Sequence, residues 1–403
     1  MKWKAASGCG SDSKKSSKLK PTATAKFFPL SLGRLVHRRR RAMHLRVVGG
    51  EVELAVWHGQ DPDDGHWGCP IREQWGLSAH QQLSLALEDK LAFTVTATGS
   101  YAEASAVADK WGCPVADSTL RALAQRLGER AEAQTQARLQ TTPQETAAKR
   151  APTELAVVML DGWQVRQRGP GWGKKKTSEN RVEWHDLKTG VFYRHEQAGC
   201  TEGGRGLLAE KVVVSWQGEP LEIGRRLHWE ALRGGLGRAK AVMVLGDGAP
   251  WIWNVAADRW AGATEVLDFY HASQHLWEMG KAVTGSDDTA GAWVEPRRHQ
   301  LRYGKEARVL KELAALKPGR SVSGKIIQRE QNYFASHQRR MHYEQIAERG
   351  WPIGSGAVES ACRQRQCRFK RPGQFWTRAG LRNLCALDEA RRNRHWEQLW
   401  PAS

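Results

Sequence analysis

Two short, wholly apolar runs at residues 155–160 (LAVVML) and 241–245 (AVMVL) constrain the fold of this 403-residue chain most tightly. The first closes in Asp161-Gly162 and the second in Gly246-Asp247-Gly248. Apolar runs this short, without alternation, are typical of strands in a sheet covered by helices on both faces. A third β run spans residues 265–269, and strand-like pieces lie at 182–184, 191–193 and 212–216. Helical patterns fall over 221–236 and from Tyr270 to about Val283. Strands first, then alternating strand and helix, predict an α/β fold. Residues 286–345 lack any β run and read as helical, and 354–394 read as one or two helices after a Gly-rich turn.

The N-terminal part is different. Residues 47–57 alternate as a strand or hairpin with Gly49-Gly50 as its turn, and 61–76 read as loop. Helical patterns follow over 78–94 and 101–111, and a further helix opens at Asp117 and runs to about Leu139. The break at Gly112-Cys113-Pro114 makes the last two a helix-turn-helix candidate, with Ser118, Thr119, Arg121 and Gln125 on its second helix as DNA contacts. Helical hairpins that touch no DNA share this pattern. Residues 141–152 are polar and carry Pro, as a linker does.

Charge divides the chain the same way. The sequence holds 62 Lys+Arg against 43 Asp+Glu, a net of +19. Residues 1–46 carry +12, residues 47–150 carry −5, and residues 151–403 carry +12. An excess of this size points to an anionic partner, of which nucleic acid is the commonest large one. The first segment cannot bury enough apolar surface to fold, so residues 1–44 are expected to be a basic disordered tail. It serves either as a phosphate clamp or lies upstream of a true start at Met43. No apolar run near 18 residues is present, which argues against a membrane protein. Seven cysteines without a CxxC pair do not suit a disulfide-stapled scaffold, and no signal-peptide pattern opens the chain. The expected setting is cytoplasmic.

The chemistry rests on carboxylates. Asp161 and Asp247 each close a hydrophobic run and precede Gly, and Glu359 follows the Ile353-Gly354-Ser355-Gly356 turn near a helix start. Carboxylates at strand ends are held rigidly, which suits ligands of hard divalent cations. Three such groups can converge on two metal ions roughly 3.5–4 Å apart, activating a hydroxyl or water against a phosphodiester. A single Asp-Gly is more often a plain turn. Here the surroundings are dense in positive charge: residues 363–382 hold seven Lys/Arg and no acid, and Lys174, Lys175 and Lys176 follow Asp161. Arg363, Arg365, Arg368, Lys370, Arg371 and the three lysines are the expected phosphate contacts, a solvated basic face being the other reading.

The blocks MLDGWQVR (159–166), LGDGAPWIWN (245–254), VLDFYHASQHL (266–276) and WPIGSGAVESACRQRQCRFKRPGQFW (351–376) resemble bacterial insertion-sequence transposases of the ISKra family, distantly similar to Mutator-type transposases. The resemblance covers roughly residues 45–400. It implies a ribonuclease-H-like mixed sheet flanked by helices, with an all-helical insertion at about 286–345, preceded by a mainly helical DNA-binding region. The implied domains are 45–150, for DNA binding, and 151–403, for catalysis. It also implies a DDE triad of Asp161, Asp247 and Glu359. Asp268-Phe269-Tyr270-His271 resembles the Asp/Cys-x-x-His motif of the Mutator-like enzymes, in which His271 would orient a scissile phosphate or support a metal ligand.

The expected activity is therefore a transposase that binds terminal inverted repeats and joins the element's 3′ end to target DNA. Asp161 would bridge two Mg²⁺ (or Mn²⁺) ions while Asp247 and Glu359 hold one each, with no covalent protein–DNA intermediate. A homodimer or larger assembly on DNA, within the nucleoid, is expected. A metal-dependent nuclease without strand transfer, and a non-catalytic DNA-binding derivative, remain alternatives. Nineteen tryptophans are unusual; Trp251, Trp253, Trp351 and Trp376 fall inside these blocks, and at most two or three of the nineteen are expected to stack on bases unpaired near the cut, the rest serving core or interface. The repeated WGCP at 67–70 and 111–114 lacks zinc-ligand spacing. Lys174–Lys176 lack the ending of a P-loop.

Overall fold

The computed structural model describes residues 35–143, 151–174, 181–204 and 206–400. The chain divides into two compact units. The first holds the described residues up to Ala97, Tyr101–Leu123 and Trp400, and the second holds Thr98–Ser100 and Ala124–Leu399.

The first unit opens on strands β1 (Val36–Val47), β2 (Gly50–Gln60) and β3 (Trp67–Gly68), paired antiparallel in the order β1-β2-β3. This corrects the expectation of a disordered tail as far as residue 44, because Val36 onward is strand. The register sets Arg39 opposite His58, Arg41 opposite Val56 and Met43 opposite Leu54. Met43 thereby packs with Val56 and Cys69 in a small core. The arginines lean outward, Arg39 over the Trp67 ring and Arg40 over Trp57. The charged run disguised a largely exposed strand whose buried residues, Met43 and Leu45, come only near its end. The hairpin is present, but its turn is Val48-Gly49 rather than Gly49-Gly50, since Gly50 already pairs with Val47 at the start of β2.

Four helices follow: α1 (Pro70–Gln74), α2 (Leu85–Ala97), α3 (Tyr101–Lys110) and α4 (Asp117–Leu139). Helix α2 begins later than residue 78. The turn between α3 and α4 passes through Gly112 at φ 75°, a left-handed position natural to glycine. The division between units falls inside α4 rather than at residue 150, because its C-terminal half belongs to the second unit. The proposed linker lies partly outside the described residues. Cys69 and Cys113 are buried, and Arg46 donates a hydrogen bond to the Cys113 sulfur, so both WGCP copies serve packing.

The second unit is built on a mixed five-stranded sheet. Its strands are β4 (Thr153–Arg168), β5 (Val182–Arg194), β8 (Val212–Trp216), β9 (Ala239–Gly246) and β10 (Thr264–Leu267). The two short strands β6 (Ala198–Cys200) and β7 (Gly206–Leu208) form a separate ribbon. The sheet order is β10-β9-β4-β5-β8. Strands β4, β9 and β10 run parallel, while β5 runs antiparallel to both of its neighbours. The LAVVML run is buried on both faces because β9 and β5 flank it and helices pack over it. Helix α5 (Pro220–Arg233) precedes β9, and α6 (Pro250–Arg259) connects β9 to β10, the helical crossover that a parallel pair requires.

The chain then leaves the sheet. Helix α7 (Phe269–Thr284) is followed by α8 (Asp287–Arg302), α9 (Glu306–Ala314), α10 (Val322–His337) and α11 (Tyr343–Glu348). No strand interrupts this stretch among the described residues, in keeping with the strand-free reading of 286–345. Helices α12 (Gly356–Phe369) and α13 (Arg378–Arg392) return to the sheet, and α12 packs on β4 and β5.

Candidate active site

Strand β4 does not end at Asp161, as its apolar run suggested. It continues to Arg168 alongside β5. The parallel pairing with β9 is what stops, its last partners being Leu160 and Gly246. The next residue on each strand is an aspartate, Asp161 and Asp247. Strand β10 repeats the pattern: Leu267 pairs with Gly246, and Asp268 follows. Three aspartates thus stand side by side where β9 and β10 end and their parallel pairing beside β4 stops, the edge at which open α/β sheets hold their ligands.

The three carboxylates have different tasks. Asp161 accepts the Gly162 backbone N–H at 2.7 Å. Its carboxyl is pushed above the usual range, mainly by burial and further by the negative charge of Asp247. A hydrogen bond from the Cys362 thiol, the Gly162 N–H and the nearby His271 act the other way. Asp247 accepts the Ala249 N–H at 2.9 Å, a local turn that fixes the Asp-Gly corner. Asp268 is fully buried and caps α7, accepting the N–H groups of Tyr270 at 2.6 Å and His271 at 2.8 Å. Its other oxygen accepts the Ser355 N–H. It is a bracket, and its signature (an acid between a β run and a helix) is that of an N-cap.

That bracket locates the third member of the expected triad. Phe269 N–H donates to the Ile353 carbonyl at 2.9 Å, so the 353–355 turn is pinned to the start of α7 at two points. Gly354 is required there, because a Cβ would sit 2.7 Å from the Tyr270 ring. Helix α12 departs from this turn. Cys362 on α12 touches Asp161, and Glu359 precedes Cys362 by three residues, one turn back on the same side of the helix. Glu359 is half-buried and its Oε1 accepts the Ser355 hydroxyl at 2.9 Å. The structure therefore brings Asp161, Asp247 and His271 together and sets Glu359 one helical turn from the Cys362–Asp161 contact. Among the described residues, no three His, Cys, Asp or Glu side chains gather closely enough to hold a metal ion. Two apposed carboxylates, one of them hard to ionise beside the other, are nonetheless a donor set that a divalent cation relieves.

The helical segment supports the Asp247 corner from outside the sheet. Tyr333 on α10 donates its hydroxyl to the Asp247 carbonyl at 2.9 Å and stacks on His275 with ring centroids 3.6 Å apart. His275 pairs with the buried Glu330 at 2.5 Å. Gly248, at φ 105°, would bring a Cβ to 2.9 Å from the Tyr333 ring and 3.0 Å from His337 Nε2. None of these helical residues was among the sequence-derived candidates.

The expected phosphate contacts separate sharply. Arg363 and Arg371 are exposed and Lys370 is half-buried. Arg365 is not a surface residue: its side chain is fully buried, 3.6 Å from both Asp388 and Glu389 of α13. Arg368 is buried as well, donating to the Gly99 carbonyl and lying over Trp376. Neither arginine can meet a phosphate, because the face of α12 that carries them packs inward. Gln125 is likewise committed, bridging the Gly380 carbonyl and the Asn383 amide, whereas Arg121 is exposed. Lys174 is exposed, and Lys175 and Lys176 lie outside the described residues. Trp253 and Trp376 are buried, which removes them as stacking residues.

No protein-family model matches the chain, and no curated protein matches it. Among solved structures, the chain is similar to the Drosophila P element transposase strand transfer complex at a TM-score of 0.25 and 10% identity, over 82% of this chain and 83% of that one. A likeness of that degree carries no weight here, and the reading below rests on the site. No helix among the described residues is long and apolar enough to cross a membrane.

Proposed function

We propose that this chain is a DNA transposase of the insertion-sequence kind, with a ribonuclease-H-like core that cuts at terminal inverted repeats and joins the freed 3′ end to target DNA. The observation that carries the reading is the apposition of Asp161 and Asp247 where the parallel pairing of β4 with β9 stops, with the helix bearing Glu359 laid against them through Cys362. The sheet supports it: three antiparallel strands, β4, β5 and β8, then β9 and β10 parallel to β4, with the helices α7 to α11 between β10 and the third acid.

Asp161 and Asp247 would hold Mg²⁺ or Mn²⁺, with Glu359 joining them once it leaves the Ser355 hydroxyl. The bound cation would lower the barrier to attack by water or a 3′-hydroxyl and stabilise the departing oxygen. His271, beside Asp161, would orient the scissile phosphate. Arg363, Lys370, Arg371 and Lys174 would hold the backbone on either side, and exposed residues of the first unit, Arg121 among them, would read the repeats. Assembly as a homodimer or larger oligomer on DNA belongs to the same reading.

Labelled terminal-repeat duplexes incubated with a target plasmid in Mg²⁺ test it. Joined products that disappear in Asp161→Asn, Asp247→Asn and Glu359→Gln are expected. Cleavage without joining would indicate a nuclease, and binding without cleavage a non-catalytic derivative. Joining that persists in any of the three variants overturns the triad.

A further inference from the structure

Beyond Leu160 the β4–β5 hairpin projects without β9 at its side, and one face of it meets solvent. On that face Trp184 is 52% exposed, an unusual position for the largest apolar side chain. It stands opposite Arg166 in the register, five residues beyond Asp161 on the same strand, about 17 Å at ordinary strand rise. Two cations lie near its ring: the Arg166 guanidinium, which also donates to the Arg371 carbonyl, is 5.8 Å from the centroid and the Lys370 ammonium 5.6 Å. Nearer the hairpin end Trp172 is 38% exposed, with Arg168 5.1 Å from its ring and Phe375 packed against it at 4.9 Å.

An exposed indole between cations has a definite chemistry. Its face stacks on a nucleobase only when the base has left its duplex partner, and the cations meet the phosphates on either side. A protein partner would call for a broader apolar patch, and a duplex alone would need the cations without the indole. We infer that Trp184 is a stacking platform for an unpaired base of single-stranded DNA, with Arg166 and Lys370 holding the adjoining backbone. The platform rests on the proposed reading in one respect: it would hold, about 17 Å along β4 and on the opposite face of the sheet from Asp161, a strand parted from the duplex that the carboxylates cut.

Equilibrium binding of the full-length protein in EDTA, so that no cleavage intervenes, tests it with a single-stranded oligonucleotide, a forked duplex and a blunt duplex, each carrying 2-aminopurine. Trp184→Ala is expected to weaken the single strand and the fork roughly 5- to 150-fold, the ~1–3 kcal/mol per base of aromatic stacking, and to leave the blunt duplex unchanged. Quenching of 2-aminopurine by the wild type should vanish in that variant and persist in Trp184→Phe. Lys370→Gln should flatten the salt dependence for the single strand by about 0.7 in log–log slope, while Trp184→Ala leaves that slope alone. Unchanged single-strand affinity in Trp184→Ala, or an equal loss on the blunt duplex, overturns the platform. Quenching by a wild type that never cleaves in Mg²⁺ would sink the transposase reading and leave the platform standing.

Discussion

Asp268 accepts the Ser355 backbone N–H while capping α7, so one buried carboxylate joins the end of β10 to the turn that launches α12. Glu359 is on that helix, which makes Asp268 a positioning residue for it. Asp268→Ala should lose the cap and orphan the Ser355 N–H, lowering stability by roughly 2–4 kcal/mol. Asp268→Asn keeps an oxygen for α7 but turns an amide donor toward Ser355, another donor. It is expected to retain most of the stability, measured by urea unfolding, while strand joining falls at least tenfold. An Asp268→Asn protein with wild-type joining would refute the link between this bracket and Glu359.

The Asp247 corner depends on α10 in the same way. Tyr333→Phe keeps the stack on His275 and removes the hydroxyl that donates to the Asp247 carbonyl. A loss of about 1 kcal/mol in stability is expected, as for one hydrogen bond, with cleavage slowed and DNA affinity unchanged. Gly248→Ala should be worse, by more than 2 kcal/mol. It combines a left-handed backbone with a Cβ driven into the Tyr333 ring. Thermal unfolding and single-turnover cleavage of the two variants check the order.

How much of this was legible beforehand follows from what each residue packs against. The apolar runs marked β4 and β9 because strands covered on both faces need no alternation, and the aspartates could be placed at their ends from the same letters. Glu359 could be placed near a helix start from the Gly-rich turn before it. Strand β1 was hidden because its arginines lie over Trp57 and Trp67 and its apolar contacts begin only at Met43. Arg365 could not be told from Arg363, since its partners Asp388 and Glu389 lie on another helix more than 20 positions later. Trp184 was obscured because a tryptophan in a strand reads as core, and its exposure depends on which face of β5 is left uncovered, a fact of three-dimensional packing.

Glu389 supplies a pH dependence. Burial raises its carboxyl from an ordinary 4.5 to about 7, against the pull of Arg365. The native state then keeps a proton that the unfolded chain releases. The contribution is complete below about pH 4.5 and is lost as pH rises through 7. Over that window stability should fall by up to the order of 3 kcal/mol. Glu389→Gln, which keeps an oxygen for the Ser215 N–H, should lack this decline. Urea titrations of both proteins at pH 4.5, 6 and 8 decide it, and parallel profiles would contradict the assignment.

Arg363 and Arg365 differ by two positions on α12 and should behave as different kinds of residue. Arg363 is exposed, so Arg363→Gln is expected to move stability by no more than about 0.5 kcal/mol. If it holds a phosphate, duplex affinity falls and the log–log salt slope drops by about 0.9. Arg365→Gln removes a guanidinium buried between Asp388 and Glu389; Asp388 keeps Arg391 and Arg392, so the partner lost is that of Glu389. Losing one partner of such a group typically costs about 3–5 kcal/mol, so this variant should be poorly folded at 37 °C. Arg365→Met together with Glu389→Gln should recover part of that loss, because neither the guanidinium nor the carboxylate that lost it remains, while Asp388 keeps Arg391 and Arg392. A stable Arg365→Gln with a reduced salt slope would mean that α12 turns its other face to DNA.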